Sequence, residues 1–85
     1  MRVILYLVQI EFEDKVRRTS VDDDINFVKL KEKICKMFDL DTNANLTITY
    51  IDEDKEVINL CDDEDLEQLL VQDLNPIRMT VEDEY

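Results

Sequence analysis

Glycine, histidine and tryptophan are absent from these 85 residues, and proline occurs once. Without glycine there is no glycine-rich phosphate loop. Every turn must instead be made by Asp, Asn, Lys or Pro. Without histidine the chain lacks the commonest general base and the commonest metal-ligating imidazole. Two cysteines, Cys35 and Cys61, are too few for a tetrahedral zinc site. The one serine, Ser20, falls in an expected strand with no base near it. These absences point away from an enzyme, and no catalytic residue, cofactor or metal is expected.

Long apolar runs are lacking too. Residues 3–10, VILYLVQI, are interrupted by Gln9 and followed by Glu11. A membrane-spanning helix needs roughly 20 apolar residues. No small-residue cleavage site follows, so neither a span nor a signal peptide is expected. The chain is not disulfide-dense, which predicts two reduced, partly buried thiols in a cytoplasmic protein.

What the chain has in excess is negative charge. It carries 10 Lys and Arg against 22 Asp and Glu, a net charge of −12. The excess is uneven: residues 1–45 hold 8 basic and 9 acidic residues, whereas residues 46–85 hold 2 and 13. Nucleic acid and anionic membranes need a basic footprint, so neither is the expected partner. A basic protein surface is, or else the charge serves solubility. A chain of this length makes one domain, residues 1–85, and buries roughly 60–65% of its unfolded surface.

Residues 3–12 alternate as a strand, with Ile4, Tyr6, Val8, Ile10 and Phe12 directed to the core. A turn at Glu13-Asp14-Lys15 leads to a second strand over residues 16–21. Asp24 or Asn26 can cap a helix. Apolar residues then recur at Phe27, Leu30, Ile34, Met37 and Phe38, the stripe of an amphipathic helix that ends near Asp39. Lys29, Lys33 and Lys36 line its opposite side, with Lys31 between, as a solvated face. A third strand is expected over residues 46–51, a turn over 52–55, and a short fourth strand over 56–60. Asp62 has the position of an N-cap, with Asp65 three residues on. A short helix over residues 63–71 turns Leu66, Leu69 and Leu70 inward. After Asn75-Pro76, Ile77, Met79 and Val81 alternate in a last strand, and residues 82–85 are expected to fray. This order predicts an α+β, ubiquitin-like β-grasp: a mixed five-stranded sheet with one main helix and one short helix, its first and last strands parallel at the centre.

The densest feature is the acidic stretch, with nine carboxylates between Asp52 and Glu67. So much like charge opposes folding and calls for another explanation. Tyr50, Asp52, Glu53, Asp54, Glu56, Val57, Leu60, Asp62, Asp63, Asp65 and Leu66 together resemble the acidic motif of Phox-and-Bem (PB-one) domains, and the β-grasp order extends the resemblance over nearly the whole chain. The resemblance implies a scaffolding module found in signalling kinases, oxidase subunits, autophagy receptors and plant regulators. The acidic motif of one such domain docks front to back on the basic face of another. The partner-binding residues carried over are Asp52, Glu53, Asp54, Glu56, Asp63, Glu64 and Asp65, with Asp62 and Asp65 also explained by helix capping.

In the family the basic face needs a lysine in the first strand. Gln9 stands at that position here, while Arg17 and Arg18 match the basic positions of the second strand. Gln9 can hydrogen-bond but brings no charge. The expectation is therefore an acidic-only domain that binds a different PB-one domain and stays monomeric alone. The alternatives are a bivalent domain with a weak basic face that self-associates, and a ubiquitin-like domain that binds through its apolar face. Lys55 is a second departure, where the family often has glycine. A calcium loop fits poorly: Val57 would fall where the frame needs glycine, and Asp63 where it needs glutamate.

Overall fold

The computed structural model describes residues 4–84. The expected Val3 of the first strand and Tyr85 of the tail lie outside the described residues. The elements run β1 (Leu5–Phe12), β2 (Lys15–Asp22), α1 (Phe27–Phe38), β3 (Asn45–Ile51), β4 (Val57–Leu60), α2 (Asp63–Leu70) and β5 (Ile77–Glu84). One sheet has the order β2-β1-β5-β3-β4. β1 and β5 run parallel at its centre, and the other pairings are antiparallel. This is the predicted β-grasp.

The alternating strands bury one side each. Val8, Ile10 and Phe12 of β1, Ile48 and Tyr50 of β3, and Ile77, Met79 and Val81 of β5 pack with Leu30, Ile34 and Phe38 of α1 and with Leu66 and Leu69 of α2. Phe12 and Phe38 meet with ring centroids 5.4 Å apart. Both helices therefore cover one face of the sheet and leave the other open. Ile4, expected in the core, is instead exposed. Its strand begins one residue later, where Leu5 pairs with Asp22, so Ile4 lies outside the paired part of the sheet. Leu70 is only half-buried.

A chain without glycine still bends sharply. Glu13, Asp39, Lys55 and Asp73 take the left-handed conformation, with φ of 56°, 56°, 64° and 52°. Asp39 ends α1 in this way, and the Leu40 N–H then returns to the Cys35 carbonyl at 2.8 Å. Between the two expected caps of α1, Asn26 is the one used: its side chain accepts from the Lys29 N–H at 2.8 Å. Asp24 lies in a tight turn, donating its N–H to the Asp22 carboxylate.

Residues 82–84 do not fray. They extend β5, pairing Glu82, Asp83 and Glu84 with Thr47, Leu46 and Asn45 of β3. The Thr47 hydroxyl also donates to the Glu84 carboxylate at 3.0 Å. The acidic side chains are exposed, so their charge does not oppose a backbone ladder. The thiols differ from each other: Cys35 is buried, whereas Cys61 is exposed rather than partly buried. Burial pushes the Cys35 thiol up; Lys31 opposes this, and Asp41 and Asp83 add to it.

Candidate protein-binding surface

The turn between β3 and β4 is shaped from within by one carboxylate. Asp52 Oδ1 accepts from the backbone N–H groups of Asp54 and Glu56, both at 2.9 Å. The backbone closes around it, with the Lys55 N–H on the Asp52 carbonyl and the Asp52 N–H on the Glu56 carbonyl, each at 3.0 Å. This makes Asp52 a half-buried structural residue and leaves Glu53, Asp54 and Glu56 exposed around it. A second brace comes from the end of α2. Gln72 Oε1 accepts from the Glu53 N–H at 3.2 Å, while Gln72 Nε2 donates to the Gln68 carbonyl at 3.1 Å and the Tyr50 hydroxyl at 3.4 Å. The turn and α2 thus bound an open groove lined by Asp52, Glu53, Asp54 and Asp73, with exposed Val71 among them.

The start of α2 follows the same division. Asp62 caps the helix, accepting from the Asp65 N–H at 2.9 Å, and Asp65 accepts from the Cys61 N–H at 2.9 Å. Asp63 reaches another element: its Oδ1 accepts from the Phe27 N–H at 2.7 Å. It therefore caps the first turn of α1, 36 residues away in sequence. Asp63, Glu64 and Asp65 all lie in the first turn of α2, where the helix dipole favours negative charge. Of the seven carboxylates singled out in the sequence, Asp52, Asp63 and Asp65 hold backbone amides. Glu53, Asp54, Glu56 and Glu64 are the exposed remainder. Among the described residues no three His, Cys, Asp or Glu side chains are grouped to hold a metal ion. No described helix is long and apolar enough to cross a membrane.

The candidate basic residues do not act as a set. Arg18 stands opposite Gln9 on β1, and its Nε donates to Gln9 Oε1 at 3.0 Å. Arg17 stands opposite Ile10, on the helix-covered side, and donates to the Met37 carbonyl at 2.7 Å. Lys33 of α1 likewise donates to the Ser20 carbonyl of β2 at 3.0 Å. Arg17 and Lys33 thus tie the edge strand to the helix. Sequence reasoning missed Asp73 and Gln72 beside the acidic turn. It also missed Arg78, which pairs in register with Gln9 from β5. Only the parallel pairing of β1 and β5 brings residues so far apart in sequence together.

A β-grasp carrying this acidic turn defines a ubiquitin-like module of the kind that binds other proteins. More particularly, the chain belongs to the PB1 domain family, whose model matches residues 6–84. That family is one of protein-interaction modules. The chain is 38% identical over 79 residues to Protein JOKA2 of Solanum tuberosum, covering 87% of this chain but 9% of that protein. It is 41% identical over 58 residues to the NBR1 homolog of Arabidopsis thaliana, covering 68% of this chain and 8% of that protein. The chain therefore spans under a tenth of the length of either relative. Among solved structures it resembles the AtNBR1-PB1 filament of L type seen by cryo-EM, with TM-score 0.87 and 32% identity over 95% of this chain and 99% of that one. A ubiquitin-like domain of tubulin-binding cofactor B, at TM-score 0.73 and 19% identity over 96% of this chain and 92% of that one, shares the fold.

Proposed function

We propose that this domain joins proteins by setting its acidic turn against the basic face of another PB1 domain, front to back. The observation that carries this reading is the inward role of Asp52, which leaves Glu53, Asp54 and Glu56 presented together. Glu64 extends the same charge along the start of α2. A partner arginine entering the groove would meet Asp54 and Asp73 at its guanidinium and Val71 along its methylene stem. Charged groups of this kind speed encounter and set orientation, and salt weakens them. The filament formed by the similar AtNBR1-PB1 domain supports a head-to-tail mode of contact.

The test is a titration of immobilised wild-type and Asp54→Arg domains with a PB1 domain that carries the first-strand lysine. Binding by wild type, weakened by salt and lost in Asp54→Arg, is the expected result. Equal binding by both folded proteins would overturn the assignment.

A further inference from the structure

The helix-free face of the sheet carries a serine in a basic setting. Strand register places Arg18 of β2, Gln9 of β1 and Arg78 of β5 in one row on that face. Ser20 stands two residues beyond Arg18 on the same strand, opposite Leu7. Its neighbour Val21 is buried in the core and Leu7 is 43% exposed, so the Ser20 hydroxyl projects from the open face beside Arg18. β2 is an edge strand, paired with β1 alone. Its stretch from Arg17 to Ser20 is extended, and Arg17, Arg18 and Ser20 are exposed. Two cations already lie close. Arg18 donates Nε to Gln9 Oε1 at 3.0 Å, and Lys33 donates Nζ to the Ser20 carbonyl at 3.0 Å.

We propose that Ser20 is a phosphorylation site for an arginine-directed protein kinase, and that its phosphate turns this basic corner acidic. The run Arg17-Arg18-Thr19-Ser20 sets two arginines two and three residues ahead of an acceptor hydroxyl. Kinases that select such substrates do so with carboxylates in the cleft, which pair bidentately with guanidinium groups. An extended chain suits that cleft, and strand alternation turns the two arginines to opposite sides, where each is held separately. Ser20 Oγ attacks the γ-phosphorus of ATP, its proton passes to the catalytic aspartate of the kinase, and ADP leaves. The product carries about −1.5 to −2 charge and three acceptor oxygens. Residues i and i+2 of a strand are roughly 7 Å apart, within reach of an arginine side chain. Arg18 therefore leaves the neutral Gln9 amide for the phosphate, the stronger acceptor, and Lys33 adds a second cation. Asp22, exposed two residues further on, repels the phosphate and limits the gain. Arg17 is the obstacle, because the Met37 carbonyl holds it at 2.7 Å. It comes free when the edge strand opens locally, which costs less than unfolding the domain. The acidic turn joins β3 to β4 at the other edge of the sheet and keeps its charge. Modification thus removes the cationic corner and leaves the acidic surface intact.

The test is incubation of the folded wild-type domain with ATP and the catalytic subunit of the cyclic-AMP-dependent kinase, read by mass spectrometry. One phosphate should appear, on Ser20 and not on half-buried Thr19. Arg17→Ala and Arg18→Ala should each slow uptake at least about tenfold, the effect of one charge-assisted hydrogen bond. Ser20→Ala should take up none. No uptake by the folded domain, uptake on Thr19, or rates indifferent to both arginines would overturn the site. Uptake that begins only at the melting temperature would also sink it, since the site would then belong to the unfolded chain. In the phosphorylated domain the Arg18 Nε–H resonance should move, and an unmoved resonance would remove the contact that reverses the corner. Binding through the acidic turn to a PB1 domain with the first-strand lysine should be unchanged by the phosphate, and its loss would show that the effect is not confined to β2. A domain that takes phosphate on Ser20 but never binds that partner leaves this proposal standing and overturns the acidic-turn reading alone.

Discussion

The acidic turn and the arginine row are built in opposite ways. The turn comes from one continuous stretch, braced by Asp52 within it and by Gln72 from the end of α2. The row takes one side chain from each of three strands, aligned by backbone pairing, with one side-chain hydrogen bond from Arg18 to Gln9. On the acidic side, carboxylates share two tasks: some hold amides and the others face solvent. On the row the sheet does the positioning, and Arg18 and Arg78 are exposed. A substitution in the turn therefore risks changing shape as well as charge. A substitution in the row changes charge and, at Arg18 or Gln9, one exposed side-chain hydrogen bond, but not the shape of the backbone.

The largest expected effect comes from reversing a carboxylate with no structural task. Asp54→Arg should weaken partner binding by about 2–5 kcal/mol, the range for losing one member of a docked charge pair, or at least thirtyfold. Circular dichroism should be unchanged. Asp52→Ala should weaken binding too, but with altered exchange of the Asp54 and Glu56 amides that its carboxylate holds. If amide exchange in Asp52→Ala matches wild type, the division between shaping and docking carboxylates fails.

Next in size is a stability effect that separates two neighbours. Asp63 caps α1 across space, and losing an N-terminal cap costs about 1 kcal/mol. Asp63→Ala should lower the Tm by about 4–8 °C for a domain of this size. Glu64→Ala should leave the Tm within experimental scatter and weaken partner binding instead. Thermal melts of the two variants side by side decide the matter. Equal melting temperatures would remove Asp63 from the structural set.

These contrasts show which parts of the molecule could be read from the chain. Apolar alternation in β1, β3 and β5 and the stripe from Phe27 to Phe38 are local patterns, so strand and helix order followed from them. The acidic surface was legible for the same reason, being contiguous. Residues 82–84 were misread because a charged terminal run resembles a frayed tail, while the ladder that orders it is supplied by β3. The capping role of Asp63 was not legible because the amide it holds, on Phe27, belongs to another helix. Arg17 and Arg18 are adjacent in sequence, but strand geometry sends them to opposite faces. Arg78 carried no signal beside Gln9 until the parallel pairing was known.

The smallest expected effect lies at Lys55, where shape and charge can be separated within one residue. Its φ of 64° places a side chain where glycine is at ease. A left-handed residue with a Cβ costs roughly 1–2 kcal/mol, partly offset because glycine gains more freedom on unfolding. Lys55→Gly should therefore stabilise the domain by about 0.5–1 kcal/mol, a rise of a few degrees in Tm. It also removes the only cation among the turn carboxylates. Partner binding should tighten at low salt by less than about threefold, since the charge is exposed and screened, and the gain should vanish at high salt. Lys55→Ala makes the comparison complete: it removes the charge but keeps the Cβ, so it should share the change in binding and not the gain in Tm. A lower Tm for Lys55→Gly would mean that attraction between Lys55 and the surrounding carboxylates outweighs the backbone strain.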